Sequence, residues 1–387
     1  MPITLEEKPP MKIVKVEPIP LAYPEPNDFN AERYLCLVKI TTDDGLVGWG
    51  ESITQFKEAN APVAALIAGL AEDYLIGKDP INNIAIWRSL KERAWWYGYR
   101  GGIASYAISA IDIALWDLKG KALNTSVLEL LGGPVHDRLP AIASGHAHDS
   151  DIKKMAEEAK TWMDQGLQGM KVGFGKRGHA HLGYEHNRDV EYVKTMRQTL
   201  GEEKMIMIDL GYAIKWDVAT AVKRVQAFDD YNIDWIEEPL GAWDPQGYAD
   251  LRAKTKTLIA YGEREWQVAG FEEILKTGTC DVFGIDPGRA EGITGFKRAA
   301  ERVEAYKRTA NAHAWSSAII SAASLAVSFS SAAFRLFEFK PLKNPMQNDL
   351  ITEPFTHSEG WVYPPLGKPG LGIEIIEEVI DRYRQKF

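Results

Sequence analysis

IDWIEEPL (233–240) is a short apolar run that ends in two adjacent carboxylates, Glu237 and Glu238, with a proline behind them. A run this apolar carries its end into the interior of a fold, and a buried carboxylate there needs a counter-charge. The pattern recurs on both sides of it. PAIASGH (140–146), GMKVGF (169–174) and MIMID (205–209) come before, and LIAYGE (258–263), VFGID (282–286), TANAH (309–313) and FRLFEF (334–339) come after. Helical patterns lie between the runs: Ile152, Met155, Ala156, Ala159, Trp162 and Met163 follow the i, i+3, i+4, i+7 spacing. Strand-like runs alternating with helices over roughly 200 residues predict a (β/α) barrel. An open doubly wound sheet is the lesser alternative, because no Gly-rich phosphate loop follows an early strand.

The chain of 387 residues is long enough for such a barrel and an accessory domain. LCLVKITTDDGLVGWGE (35–51) reads as a hairpin turning at Asp43-Asp44-Gly45, with helical stretches after it. Residues 1–138 are therefore expected to form a separate α+β domain. Residues 139–345 are expected to form the barrel, and the Pro- and Gly-rich tail, 346–387, to return to the first domain. Trp95, Trp96, Tyr97 and Tyr99 are expected to pack.

A formal charge of −9 without a Lys/Arg run argues against nucleic acid as a partner. Two cysteines cannot build a disulfide framework, and MPITLEEKPP lacks the apolar core of a signal peptide, so a cytoplasmic location is expected. The longest apolar stretch, AIISAASLAVSFSSAAF (318–334), is too short for a membrane span and reads as a buried helix.

Asp209, Glu237, Glu263, Asp286, His313 and Glu338 each sit at or near the C-terminal end of a run, about one strand–helix unit apart. In a barrel that spacing gathers all six around one mouth. Asp209, Glu237 and Glu263 offer three hard oxygen ligands, a set suited to Mg²⁺, which would also offset their repulsion. Glu238 is then left to a neighbouring cation or the rim. His313 and Asp286 end adjacent strands, so the carboxylate can fix the imidazole tautomer and raise its basicity. Lys171 ends the second strand opposite them, placed to bind or deprotonate an anionic substrate.

With these residues the chain resembles the enolase superfamily, and within it the mandelate racemase/muconate lactonizing enzyme group, over nearly its whole length. AISAIDIALWDLKGKALNTSVLELLGG (107–133), WIEEP, GE at Glu263, DPGRAEGITG (286–295), NAHAWSSAI (311–319) and NPMQNDLITEPF (344–355) carry the resemblance. It implies a modified (β/α)₇β barrel under an N-terminal α+β cap that the C-terminal tail completes. It further implies Mg²⁺ on Asp209, Glu237 and Glu263, binding a substrate carboxylate and stabilising an enediolate. His313 is then the base, Asp286 its orienting partner, and Glu338 a hydrogen-bonding group toward the carboxylate. Specificity is implied to come partly from cap loops at 20–30, which contain Tyr23, and at 52–57. Members of the family commonly assemble, so a homo-oligomer is expected.

Two positions depart from the family pattern. Its second strand often reads Lys-x-Lys, but here the triplet is Lys171-Val172-Gly173. Gly211 stands where an asparagine is common. Without a second lysine, racemisation is disfavoured, whereas dehydration of a sugar acid (aldonate or aldarate) can run on His313 alone. Racemase, epimerase and lactone cycloisomerase activities share the same enolate step and are the alternatives. The interval after Lys171 carries a long basic loop, 175–189. It is either a solvated surface or, through Lys176, Arg177 and His179, a site for a second anionic group or the missing acid/base. Arg289 is placed to touch either substrate or Glu238. The His146-x-His148 pair admits a metal-dependent amidohydrolase, and a non-catalytic sugar-acid-binding barrel is the other competitor.

Overall fold

The computed structural model describes residues 11–214, 216–313 and 315–385. Near its start, a three-stranded antiparallel sheet is built from β1 (Ile13–Glu25), β2 (Ala31–Thr42) and β3 (Val47–Gln55). The turn from β2 to β3 places Gly45 at φ +86°, and Thr42 N–H donates to the Leu46 carbonyl at 3.0 Å. Helices α1 (Lys57–Tyr74), α2 (Asn83–Gly98) and α3 (Ile103–Ala122) follow. Buried on nearly every face, α3 packs against β3 on one side and the barrel on the other. Two strand glycines permit this approach: a β-carbon on Gly50 would overlap the Ala110 carbonyl oxygen, and one on Gly48 that of Ala114. Gly50→Ala is expected to cost about 1–3 kcal/mol through this overpacking, read as a lower urea midpoint. An unchanged midpoint would mean that α3 yields without penalty.

The strands β4 (Leu139–His146), β5 (Gly169–Phe174), β6 (Met205–Leu210), β7 (Trp235–Glu237), β8 (Leu258–Tyr261), β9 (Val282–Ile285), β10 (Thr309–Ala312) and β11 (Phe337–Phe339) are all parallel. Their order is β10-β9-β8-β7-β6-β5-β4-β11, and a bridge between Ala310 and Phe334 nearly closes the ring. A helix follows each strand from β4 to β10 but not β11, which makes the barrel (β/α)₇β. The serine-rich helix Ala318–Phe329 is buried along its length. Among the described residues no helix is long and apolar enough to cross a membrane.

The three-stranded domain and the barrel share polar as well as apolar contacts. Asp112 accepts from the backbone and hydroxyl of Thr294 at 2.8 and 2.6 Å, and the Trp116 indole donates to the same hydroxyl at 2.9 Å. The tail binds both parts. β12 (Trp361–Val362) pairs antiparallel with β4, the Ser126 and Gly370 backbones bridge, Glu377 pairs with Lys39 at 2.6 Å, and Gln385 N–H donates to Pro20 at 2.9 Å.

Two sequence expectations are corrected. The stretch 20–30 is not one loop: β1 runs to Glu25, and a single helical turn, Pro26–Asp28, links it to β2. The aromatic cluster does not pack, since Trp96 is 79% and Tyr99 71% exposed. α2 buries Ile86, Trp87, Leu90, Ala94 and Gly98, and the intervening Trp95, Trp96 and Tyr97 fall on its other face.

Candidate active site

A cavity of about 740 Å³ lies over the C-terminal ends of the barrel strands and under the cap. Barrel strands end their side chains here, and parallel register sets neighbours at one height. Asp209 pairs in register with Glu237, and Glu263 follows β8 by two residues. Asp209, Glu263, Asp286, His313, Lys171 and Lys176 line the cavity, and Glu237 and Glu338 are buried behind Lys171.

The counter-charges of the paired glutamates come from two different cations. Lys171, 3% exposed, lies 2.9 Å from both Glu237 and Glu338. Arg264 pairs with Glu238 and also reaches Glu263 at 3.7 Å. Glu238 takes φ +47°, a left-handed turn that ends β7 and separates the two side chains. Burial works against an ammonium at Lys171, but Glu237 and Glu338 outweigh it and raise its pKa well above the usual value. Lys171 is thus paired between two carboxylates from other strands, β7 and β11.

The carboxylates remain undercompensated. Burial, opposed by Lys171 and reinforced by Asp209 and Glu263, pushes the pKa of Glu237 up to about 7. Burial and Glu263 push that of Glu238 up to about 8, against Arg264. Asp209 is also disfavoured by burial, yet Lys176 at 3.0 Å and Lys171 hold its pKa below the carboxylate range. Asp209, Glu237, Glu238, Glu263 and Glu338 thus share the permanent cations Lys171, Lys176 and Arg264. Among the described residues no three His, Cys, Asp or Glu side chains are drawn into a metal-binding cluster, because each carboxylate leans on a cation of the chain. The all-oxygen donor set on neighbouring strands and the deficit of positive charge nevertheless fit a hard divalent ion.

His313 Nδ1 lies 2.5 Å from Asp286, whose other oxygen accepts from Gly288 N–H at 2.7 Å. Nε2 is turned toward Glu263 at 3.6 Å. Burial disfavours the imidazolium, but Glu263 and the Asp286 hydrogen bond outweigh it and raise the pKa of His313. Glu338 accepts from Asn311 at 2.5 Å.

The glycines at 173 and 211 both lie beside Lys176. A β-carbon on Gly173 would lie 2.6 Å from Lys176 Cε and 2.8 Å from His146, and one on Gly211 would lie 3.2 Å from Lys176 Cδ. The Lys176 side chain, entering from the loop after β5, fills the room at Gly173, whereas at Gly211 the Gly175 and Phe174 carbonyl oxygens, 2.9 and 3.0 Å away, come closer still. Arg177 also lines the cavity, 3.5 Å from Asp28. His179 is exposed and is not among the lining residues. Tyr23 is corrected from a loop residue to a core residue: it is 1% exposed and its hydroxyl donates to Glu25 at 3.2 Å. Arg289 lines the cavity, but its terminal nitrogen donates to Tyr106 at 3.1 Å, and Arg264 is the partner of Glu238. His146 stacks on Trp315 at 4.5 Å while His148 faces Phe29 and Glu158, so the pair does not converge.

Sequence reasoning missed Arg264, Arg33, Trp315 and Glu51. Arg264 directly follows Glu263, a signal that was there to read. Glu51, in the middle of β3, is fully buried and accepts from the Ser316 and Ser317 hydroxyls; burial pushes its pKa up to about 7.

Residues 154–379 match the model of the enolase C-terminal domain-like family, and residues 15–132 that of the mandelate racemase/muconate lactonizing enzyme N-terminal domain. The chain is 30% identical to the D-gluconate dehydratase of Thermoproteus tenax over 96% of its own length and 74% of that protein's. It is 33% identical to the D-galactonate dehydratase of Pectobacterium atrosepticum, over 89% of each. It is 29% identical to the D-galactarolactone cycloisomerase of Agrobacterium fabrum, over 90% of each. Among solved structures, the 3,6-anhydro-D-galactonate cycloisomerase of Zobellia galactanivorans superposes with a TM-score of 0.86 at 28% identity, covering 97% of this chain and 100% of that one. A racemase of Streptomyces coelicolor with bound magnesium superposes with a TM-score of 0.84 at 25% identity, covering 96% and 100%. With both family models spanning its two parts, the chain belongs to the mandelate racemase/muconate lactonizing enzyme family of the enolase superfamily.

Proposed function

We propose that the protein is a Mg²⁺-dependent dehydratase of a sugar acid, an aldonate or aldarate. The observation that carries this reading is the His313–Asp286 pair, lining one cavity with Asp209 and Glu263, with a glycine at 173. Asp209, Glu237 and Glu263 would hold the ion. When bound, Mg²⁺ supplies positive charge beside the substrate carboxylate. Asp286 keeps the Nδ1 proton of His313 engaged, which leaves Nε2 to take the α-proton. The C–H electron pair moves toward the carboxylate, and its return expels the β-hydroxyl. That group leaves as water with the proton His313 carries, and the enol tautomerises to a 2-keto-3-deoxy acid. Relatives named as dehydratases of D-gluconate and D-galactonate support the reading.

A lactone cycloisomerase or epimerase is the second reading. It is favoured by two relatives named as cycloisomerases and by Lys176, whose side chain fills the room beside residue 173. Incubation with Mg²⁺ and a panel of sugar acids in D₂O, followed by ¹H NMR, separates the two. A 2-keto-3-deoxy product supports dehydration. Exchange of the α-proton without elimination moves the assignment to the second reading.

Metal binding has its own test. Saturating Mg²⁺ is expected to raise the thermal midpoint, with about 2.7 kcal/mol of stabilisation at a hundred times Kd, and a chelator to reverse it. Asp209→Asn should blunt the rise. A wild-type midpoint indifferent to Mg²⁺ would remove these carboxylates as its site.

A further inference from the structure

The floor of the cavity is the carboxylate cluster, and its roof is the cap. Arg33, near the start of β2, lines the roof and lays its guanidinium 4.9 Å over the Trp315 ring. The ring is fixed from several sides. Its indole N–H donates to the Ser144 hydroxyl at 3.1 Å, His146 stacks on it with planes 19° apart, and the Lys340 ammonium lies 5.1 Å away. Arg33 is therefore presented on a rigid aromatic platform, a setting that suits a guanidinium better than an ammonium.

Its Nη1 is sealed from the cavity and has no hydrogen-bond partner among the described residues, so the guanidinium meets the cavity through its other nitrogens. A permanently charged donor left in this state is costly unless something else meets it. Glu25 and Asp28 feel its charge, but the acids around it have their contacts with other groups. Glu25 accepts from Lys340 and Asn344, both at 2.6 Å. Asp28 faces Arg177 at 3.5 Å and His146 at 3.6 Å, and Glu32 accepts from the Tyr34 hydroxyl. Arg289, the other arginine with an orphaned nitrogen on the cavity, has a terminal nitrogen bound to Tyr106. Arg33 is thus the fork left to receive an anion from the cavity.

We propose that Arg33 binds a second carboxylate of the substrate, at the end remote from the proton His313 removes, so that the enzyme takes sugar diacids (aldarates) in preference to monoacids (aldonates). This rests on the sugar-acid reading above. A cavity of about 740 Å³ accommodates a six-carbon diacid spanning floor to roof.

The test compares configurationally matched pairs, galactarate with galactonate and glucarate with gluconate, with Mg²⁺ in D₂O. For the pair that reacts, wild type is expected to favour the diacid in kcat/KM by about 100-fold, since a site built for a charged group rejects an analogue lacking it. Arg33→Met should bring the two classes within a few-fold of each other, chiefly through KM for the diacid, and Arg33→Lys should fall between. Wild-type selectivity decides the matter even if the variants fold poorly. A wild type that prefers the monoacid, or an Arg33→Met that lowers both classes equally, overturns the assignment of Arg33 and leaves the sugar-acid reading standing. Absence of both turnover and α-proton exchange with all four acids overturns the two together.

Discussion

His313→Asn is expected to lower kcat/KM on the true substrate by at least about 10³-fold, within the range that loss of a positioned general base produces. Asparagine keeps a polar group near Asp286 and roughly preserves the volume, but it has no atom that can carry the α-proton. The defect should therefore appear in the chemical step and in α-proton exchange alike, with KM little altered. Asp286→Asn keeps the imidazole and removes the charge 2.5 Å from Nδ1. Its expected loss, about 10²-fold or more, comes from a misassigned tautomer and a less stabilised imidazolium. Exchange of the α-proton at the wild-type rate in His313→Asn would assign the base to another group. A thermal midpoint close to that of wild type would show that the fold is intact.

Lys171→Met should have the largest effect on stability. The methionine occupies similar volume, yet Glu237 and Glu338 lose the ammonium that lies 2.9 Å from each in a site 3% exposed. Breaking a buried pair by removing one partner costs about 3–5 kcal/mol, because it strands uncompensated charge. Protonation offers an escape. A buried carboxylate with a raised pKa binds more protons folded than unfolded, so its stability falls as pH rises through that pKa. Glu237 already titrates at about 7 in the intact cluster. The deficit of Lys171→Met, measured by denaturant unfolding in chelator, should therefore shrink as pH falls from about 8 to about 5. Adding Glu338→Gln should recover part of it, a coupling that a double-mutant cycle reads directly. A deficit that does not vary with pH would indicate lost packing instead of stranded charge.

The barrel was legible because its signal is local and repeated. Each strand is a short apolar run, and each run ends in a polar residue in phase with the last, so Asp209, Glu263, Asp286 and His313 could be placed around one mouth from spacing alone. What could not be read depends on contacts between distant segments. Tyr23 shares a face of β1 with Leu21 and Glu25, and that face turns to the core; pleat alternation fixes this only once the strand is known to reach Glu25. Arg33 and Glu51 matter through Trp315 and Ser316–Ser317, far along the chain, and no period links them. Spacing gathers Asp209, Glu237 and Glu263 and so points to a metal as their counter-charge, but it does not show which way Lys171 turns. The structure turns that lysine sideways, between two strands' carboxylates.

The tail that pairs with β4 and with Pro20 has a consequence for how the molecule comes into being. β1 receives Gln385, and β4 receives Trp361 and Val362, so the first strand of each part waits for partners that lie far along the chain. Emerging from the ribosome at about 5–20 residues per second, the early cap segments stay without these neighbours for many seconds. Because the cavity is lined from both cap and barrel, it is complete only once segments as distant in the chain as Asp28 and Trp315 have come together.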